Sequence, residues 1–338
     1  VDPVTQGVFG ALWAQAGARR KQMRTAAAVG AVGGMAPDLD VLIRSSGDAL
    51  LALEYHRHFT HALAFIPVGA VLVALVCWPL ARRAAPKAGF GRVYLWALLG
   101  VASHGVLDAV TSYGTQLLWP FSDTRVAWSI ISVIDPLFTV PILALLIVAL
   151  VRSRRQWARF AALWAAFYLG LGAVQAHRAA GIANDWAESA GVAPLRVLAK
   201  PSFGNLVVWR VLIDTGSGYR AVAIRLMPGS GPLVWPGASV ASFQPADLAD
   251  EAEGGRLESD LRRFDHFSDG WMFRYRPLES DGDWFVGDFR YAIDPAGERP
   301  LWGLRFDPGQ ADGGVVFERP VDIPEAERAA FFSRLRGD

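Results

Sequence analysis

Long apolar runs separated by short basic clusters fill the first half of this chain, and short alternating runs fill the second. Residues 3–18 are apolar and helix-compatible, though short for a span, which takes about 20 residues. Residues 25–43 are rich in Gly and Ala. Small residues let helices approach closely in a bilayer, so this stretch reads as a packed interior helix. Residues 62–81, 93–110, 133–151 and 160–176 complete a set of six segments. Between them lie basic clusters at 19–24, 82–92 and 152–159, which hold twelve of the sixteen Lys and Arg residues before residue 181 and no acid. Basic loops stay in the cytoplasm. Placing all three clusters there gives a consistent alternation with both chain ends outside. The pattern predicts a mainly α polytopic membrane bundle of five to six segments over residues 1–180.

After Gly181 the periodicity changes. Residues 184–199 read as a short amphipathic helix. Residues 205–213 and 219–227 flank Asp214-Thr215-Gly216-Ser217-Gly218, the pattern of a β-hairpin. Further strands are expected over 271–276, 284–293, 301–306 and 315–318. Residues 324–336 read as a helix with Glu early and Arg late, as the helix dipole favours. Residues 181–338 are therefore expected to form a smaller, mostly-β, soluble domain on the extracytoplasmic side, ending in a helix.

Composition sharpens this division. The chain is 52% hydrophobic and 19% charged, whereas soluble chains carry about 25% charged residues. Its net charge of +1 conceals an asymmetry, because only eight of the 32 acids precede residue 181. No large basic face emerges, so nucleic acid is not an expected partner. The one cysteine, Cys77, excludes an internal disulfide framework and a Cys-based zinc site. No removable signal peptide is expected at the N-terminus.

The candidate chemistry sits among the few polar residues of the first half. Three of the six histidines, His56, His58 and His61, fall within six residues, just before an apolar run. Imidazole binds transition metals through either ring nitrogen. If Thr60 caps the next helix, His56 and His58 point to one side; if the region is helical throughout, His58 and His61 share a face. His104 and Asp108 lie one turn apart on a membrane segment, where ionisable groups face a cavity or a partner. Asp38 and Asp40 follow Pro37 at a segment end, where a polar turn explains them as well as a ligand pair does. Asp135-Pro136 opens a segment and is equally explained by helix capping. Asp2 is a further acid at the same face. The proposed topology brings all of these to the outer ends of the segments. Nitrogen and oxygen ligands without sulfur suit zinc, with manganese as an alternative, and a pair of ions could polarise a phosphoryl oxygen and activate water.

The order of these motifs resembles the YdjM/YbcI-type family of bacterial inner-membrane proteins. The resemblance rests on Asp2-Pro3-Val4-Thr5-Gln6-Gly7, Pro37-Asp38-Leu39-Asp40, His56-Arg57-x-Phe59-Thr60-His61 and His104-x-x-x-Asp108. Thr111 to Asp123 and Ile134-Asp135-Pro136-Leu137 add to it. It covers about residues 1–155. It implies a metal-dependent hydrolase on a helical scaffold distantly similar to zinc phospholipase C and S1/P1-type nucleases. It also implies His56, His61, His104 and Asp108 as metal ligands, with Asp38 and Asp40 beside them. His58 stands where a small residue is expected, and Gln6 where many members have His.

The expected function is thus a metal-dependent hydrolase of the inner membrane acting on a phosphoester or lipid-linked substrate, with Asp38 or Asp40 handling the proton. The bilayer is its expected partner. The alternative is a membrane protein that binds or transports metal ions or protons, or a scaffold without enzymatic activity.

Overall fold

The structure, a computed structural model, describes residues 1–248, 255–280, 282–320 and 322–338. Two compact units divide the chain. The first comprises Val1–Ile43, Tyr55–Val174 and Phe203–Asn205; the second comprises Arg44–Glu54, Gln175–Ser202 and Leu206–Asp338.

Every one of the six apolar segments contains a helix. They are α1 (Pro3–Gly17), α2 (Met23–Met35), α4 (Ile66–Ala84), α5 (Gly89–Ala109), α6 (Pro136–Arg152) and α7 (Gln156–Ser189); the short α3 (Leu51–Tyr55) precedes α4. Local chemistry starts two of them. Asp2 caps α1 by accepting from the Thr5 amide, and Asp135 caps α6 by accepting from the Phe138 amide, each with proline as the first helical residue. Three stretches are long and apolar enough to cross a membrane: Leu63–Ala84, Pro86–Ala109 and Gln156–Ser189. The 17-residue α6 is apolar but shorter. At about 1.5 Å per residue, α1 and α2 reach only ~20 Å of a ~30 Å hydrocarbon core. The expected five to six spans are therefore not all matched by helices of spanning length.

Glycine decides how the first unit packs. A Cβ at Gly10 would sit 2.2 Å from the Gly30 carbonyl oxygen, and one at Gly100 would sit 2.4 Å from the same atom. Helices α1, α2 and α5 thus touch backbone to backbone, as small residues permit in a bilayer. The close approach brings the end of α2 beside the end of α5.

The second unit holds two four-stranded antiparallel sheets, ordered β1-β2-β3-β4 and β5-β6-β7-β8. The first contains β1 (Arg196–Pro201), β2 (Val208–Asp214), β3 (Gly218–Arg225) and β4 (Leu233–Ala241). The second contains β5 (Met272–Arg274), β6 (Trp284–Asp288), β7 (Gly303–Phe306) and β8 (Val316–Glu318). Leu212, Tyr219 and Ala221 from the first sheet form one buried cluster with Trp271, Phe273, Phe285 and Phe289. The expected hairpin is present as β2–β3, with Asp214 opposite Tyr219. The expected helix over 184–199 is not: α7 continues to Ser189, the chain turns at Gly191 with φ +65°, and 196–201 pairs with β2. Pairing Val197 with Ile213 and Leu198 with Leu212 satisfies those residues better than a separate helix would. Helices α8 (Arg256–Ser268) and α9 (Glu325–Arg336) complete the unit.

Candidate metal centre

Two short segments and one helix end build the site. Pro37 ends α2 and turns the chain into a 3-10 stretch, Ala36–Leu42, that carries Asp38 and Asp40. The histidine stretch is neither a strand nor a continuous helix. Arg57 takes a left-handed φ of 65°, Phe59–His61 forms a single 3-10 turn, and α4 begins only at Ile66. The loop after α5 pins this stretch: the Gln116 amide donates to the Arg57 carbonyl at 3.0 Å and the Leu63 amide to the Leu117 carbonyl at 2.9 Å. At Gly105 a Cβ would lie 2.3 Å from the His61 carbonyl oxygen, so α5 passes directly against the stretch.

Four ligand-type side chains converge here. Asp38, His61, His104 and Asp108 present atoms that all lie within 4.8 Å of one another. His61 Nε2 is 2.7 Å from His104 Nε2, 3.1 Å from Asp108 Oδ2 and 3.5 Å from Asp38 Oδ1. His104 Nε2 is 3.5 Å from both Asp38 Oδ1 and Asp108 Oδ2. Ligands held tetrahedrally at about 2.1 Å from zinc stand ~3.4 Å apart, so these separations suit a single small ion. Asp38, Asp40 and His56 form a second such group that shares Asp38 with the first.

Hydrogen bonding shows how the first group could hold a cation. His104 Nδ1 lies 2.5 Å from the Gly34 carbonyl, an acceptor only, so that nitrogen carries the proton and Nε2 presents a lone pair. His61 Nδ1 faces Asp40 Oδ2 at 3.3 Å, which likewise places its proton there. Without a further proton on either ring, two nitrogen lone pairs and two carboxylate oxygens face one another, with Arg57 Nε 3.2 Å from Asp108 Oδ2 at the edge of the group. Asp38 Oδ2 is a buried oxygen without a hydrogen-bond donor among the described residues. Buried acceptors facing acceptors are costly unless a cation lies between them. Histidines that ligate metals characteristically give their other N–H to a carbonyl or carboxylate, as both rings do here.

The electrostatics agree. Burial opposes the charge of Asp38, but His104 and His61 outweigh it and hold its carboxyl well below the usual range. Burial opposes Asp40 too, and His56 and His61 overcome it in the same direction. Burial also works against a charged imidazole at His61, yet Asp108, Asp38 and Asp40 raise it to about 10. The same convergence of negative charge that holds a proton on His61 could hold a divalent ion in its place.

Asp40 is the organiser of the second group. Its Oδ1 meets His56 Nδ1 at 2.9 Å, while its Oδ2 accepts from the Arg57 amide at 2.9 Å and from Thr60 Oγ1 at 3.1 Å. Arg57 stands inside the histidine motif, but its role is set by the fold rather than by the motif. Its left-handed backbone aims the amide at Asp40, and its buried guanidinium places Nε 3.2 Å from Asp108 Oδ2 and lies over the Tyr113 ring. A signal was present: Arg57 is one of only four Lys or Arg residues before 181 outside the basic clusters. Gln6 Nε2 donates to Asp108 Oδ1 at 2.9 Å, so the glutamine orients a ligand carboxylate from α1.

The remaining candidates lie apart from both groups. Asp2 is bound to Thr5 at the start of α1. Asp135 caps α6 and takes the Tyr168 hydroxyl on both oxygens, at 2.9 and 3.0 Å. His58 packs among Tyr55, Phe59 and Trp119. The site is graded in exposure: His104 and Asp108 are fully buried, whereas the Asp38 and His56 side chains are 16% and 24% exposed. Access from solvent is by way of Asp38 and His56.

No solved structure matches this chain, and the expected likeness to zinc phospholipase C and S1/P1 nucleases therefore has no structural match. The chain is 40% identical over 103 residues to the inner membrane protein YbcI of Escherichia coli (strain K12), covering 29% of this chain and 57% of that protein. It is 32% identical over 112 residues to the protein YfhP of Bacillus subtilis (strain 168), covering 33% of each. The match thus spans a third of one relative and somewhat over half of the other. A membrane location follows from the family and the three apolar helices. The signature of the YdjM inner membrane proteins runs over residues 1–179, and the chain belongs to that family.

Proposed function

We propose that this protein is a metal-dependent hydrolase that cleaves a phosphoester, lipid-linked bond or related ester at the outer leaflet, with zinc the favoured ion and manganese the alternative. The observation that carries this reading is the convergence of ligand-type atoms from His61, His104, Asp38 and Asp108 within 4.8 Å of one another. A divalent ion held there supplies Lewis acidity toward a phosphoryl oxygen and lowers the pKa of a bound water. Asp38 lies in both ligand groups and would be available to an ion held by either.

The chain's own residues divide the remaining work. Asp40 is engaged by His56, Arg57 and Thr60, so it orients ligands. Asp38 is the more exposed acid and keeps one oxygen without a donor, which suits it to accept a hydrogen bond from the attacking water and orient it. Arg57 balances part of the negative charge of Asp108 and holds that carboxylate in place. Exposed apolar side chains beside Asp38 and after the site loop, Leu39, Leu42, Leu118 and Phe121, support a substrate with an apolar part. The basic clusters at the opposite ends of α4 and α5 support an extracytoplasmic site and C-terminal domain.

Metal analysis of purified protein beside His61→Ala and His104→Ala tests the reading. Wild type is expected to hold divalent metal in stoichiometric amount and both variants to lose it. Wild type without metal after zinc or manganese supplementation would sink the proposal. Bound metal with metal flux into liposomes, and no hydrolysis across a phosphodiester and phospholipid panel, would replace the hydrolase with a transporter.

A further inference from the structure

Between its carboxylate pair and its histidine stretch the chain leaves the first unit, and residues 44–54 pack as part of the second. Both ends of this excursion are short covalent leads to ligand candidates. Asp40 lies four residues before it, and His56 follows Glu54 by two. A free link of this kind would need no fastening, yet this one is fastened by side chains of α8, chiefly Arg263.

Arg263, on α8, uses all three guanidinium nitrogens. Nη1 and Nη2 grip the two oxygens of Asp48 at 3.0 and 2.9 Å. Nη2 and Nε meet Glu54 Oε2 at 2.7 and 3.1 Å, and Nη1 also meets Asp260 Oδ1 at 3.0 Å. Two turns back on the helix, Arg256 donates to the Gly47 carbonyl at 2.7 Å. Leu50, between the two gripped acids, is 1% exposed. The paired fork on Asp48 is the geometry in which arginine holds a carboxylate most firmly. Because Asp48 and Glu54 are six residues apart, the one guanidinium closes the excursion into a fixed loop.

We infer that Arg263 is a positioning residue for the metal centre: by fixing residues 48–54 it restricts the 3-10 segment bearing Asp38 and Asp40 and the stretch bearing His56 and His61. The inference rests on the metal reading for its consequence and on the loop geometry for its existence. An unfastened link lets both ligand segments sample more conformations, and that entropy must be removed when an ion binds. The loss of affinity expected on release is on the order of three- to tenfold, the scale of one partly exposed ion-pair network.

The test uses the full chain in detergent, with hydrogen exchange by mass spectrometry and zinc affinity by competition. Two independent breaks are compared, Arg263→Ala and the pair Asp48→Asn with Glu54→Gln, the second leaving α8 untouched. Arg262→Ala, one residue away and paired with Glu258, serves as the control. Both breaks are expected to speed exchange in 36–43 and 55–61 severalfold and to weaken zinc three- to tenfold. Combining them should add little, and the control should match wild type. Faster exchange confined to 44–54, with flanks and zinc affinity unchanged, would overturn the inference. If wild type binds no zinc, the metal reading fails by itself, and exchange in the flanking segments still decides the clasp.

Discussion

Each unit of this protein buries a cluster of ionisable side chains, and the two are built on opposite rules. In the second unit donors meet acceptors. Arg290 donates through Nε and Nη2 to Asp288 at 2.9 and 2.8 Å and through Nη2 to the Phe267 carbonyl. Arg210 donates to the carbonyls of Phe289, Pro295 and Gly297. Lys200 donates to the Arg290 carbonyl and sits 3.3 Å from the centre of the Tyr291 ring. In the first unit, His61, His104, Asp38 and Asp108 crowd ligand-type atoms together, while Gln6 and Arg57 hold Asp108 from the side. A cluster matched within the chain is complete once folded. One composed of ligand-type atoms could be completed by an ion from outside, and under the proposed function this difference separates a structural ion-pair network from a binding site.

The sharpest break of this comparison is in the matched cluster. Arg290→Ala strands the fully buried Asp288 carboxylate, and removing one member of a buried pair costs about 3–5 kcal/mol. Urea unfolding followed by tryptophan fluorescence should register that loss, while metal content per folded molecule stays at the wild-type level. Next in size, Asp38→Asn should weaken zinc about 10- to 100-fold, or ~1.4–2.7 kcal/mol, and cost the metal-free protein less than Arg290→Ala does, because Asp38 is partly exposed. If Asp38→Asn instead destabilises the metal-free protein as Arg290→Ala does, the acceptor cluster is matched after all and the contrast collapses. Smaller again, Gly105→Ala drives a methyl group to 2.3 Å from the His61 carbonyl oxygen. Overpacking there is expected to cost about 1–2 kcal/mol, visible as a lower melting temperature together with weaker zinc binding.

The same contrast explains which features were legible in the sequence. Asp38, Asp40, His56, His61, His104 and Asp108 stood out because ionisable residues in an apolar background must face something, and the charge pattern of the loops put them at one face. Their pairing was not legible, because it depends on the left-handed turn at Arg57 and the 3-10 turn Phe59–His61, which no periodicity announces. Asp2 and Asp135 carry the same chemistry in sequence but act as helix caps, a role set by the amides that follow them. Helix α8 could have been read: Leu257, Leu261 and Phe264 recur at four- and three-residue spacing and are buried. Strand β4 was concealed by Pro236 and Gly237, which usually interrupt strands but are tolerated at a sheet edge, where β4 lies.

The smallest effect concerns Asp48, whose ion pair with Arg263 is neither buried like Asp288 nor unmatched like Asp38. The Arg263 guanidinium holds its carboxyl below the ordinary value, and the part-buried setting opposes this only in part. A carboxyl depressed in the folded state stabilises the protein above its unfolded pKa, near 4, and that contribution is lost as pH falls through the lower folded value. The stability difference between wild type and Asp48→Asn should therefore be constant, at a few tenths to about 1 kcal/mol, from neutral pH down to about 5. It should shrink below about pH 4 as both proteins come to carry an uncharged side chain there. Taking the difference cancels the other acids of the chain, so a urea series on the two proteins isolates this one group. A difference that persists undiminished to about pH 2.5 would mean that Asp48 acts by shape and hydrogen bonding, and that charge does not hold the loop.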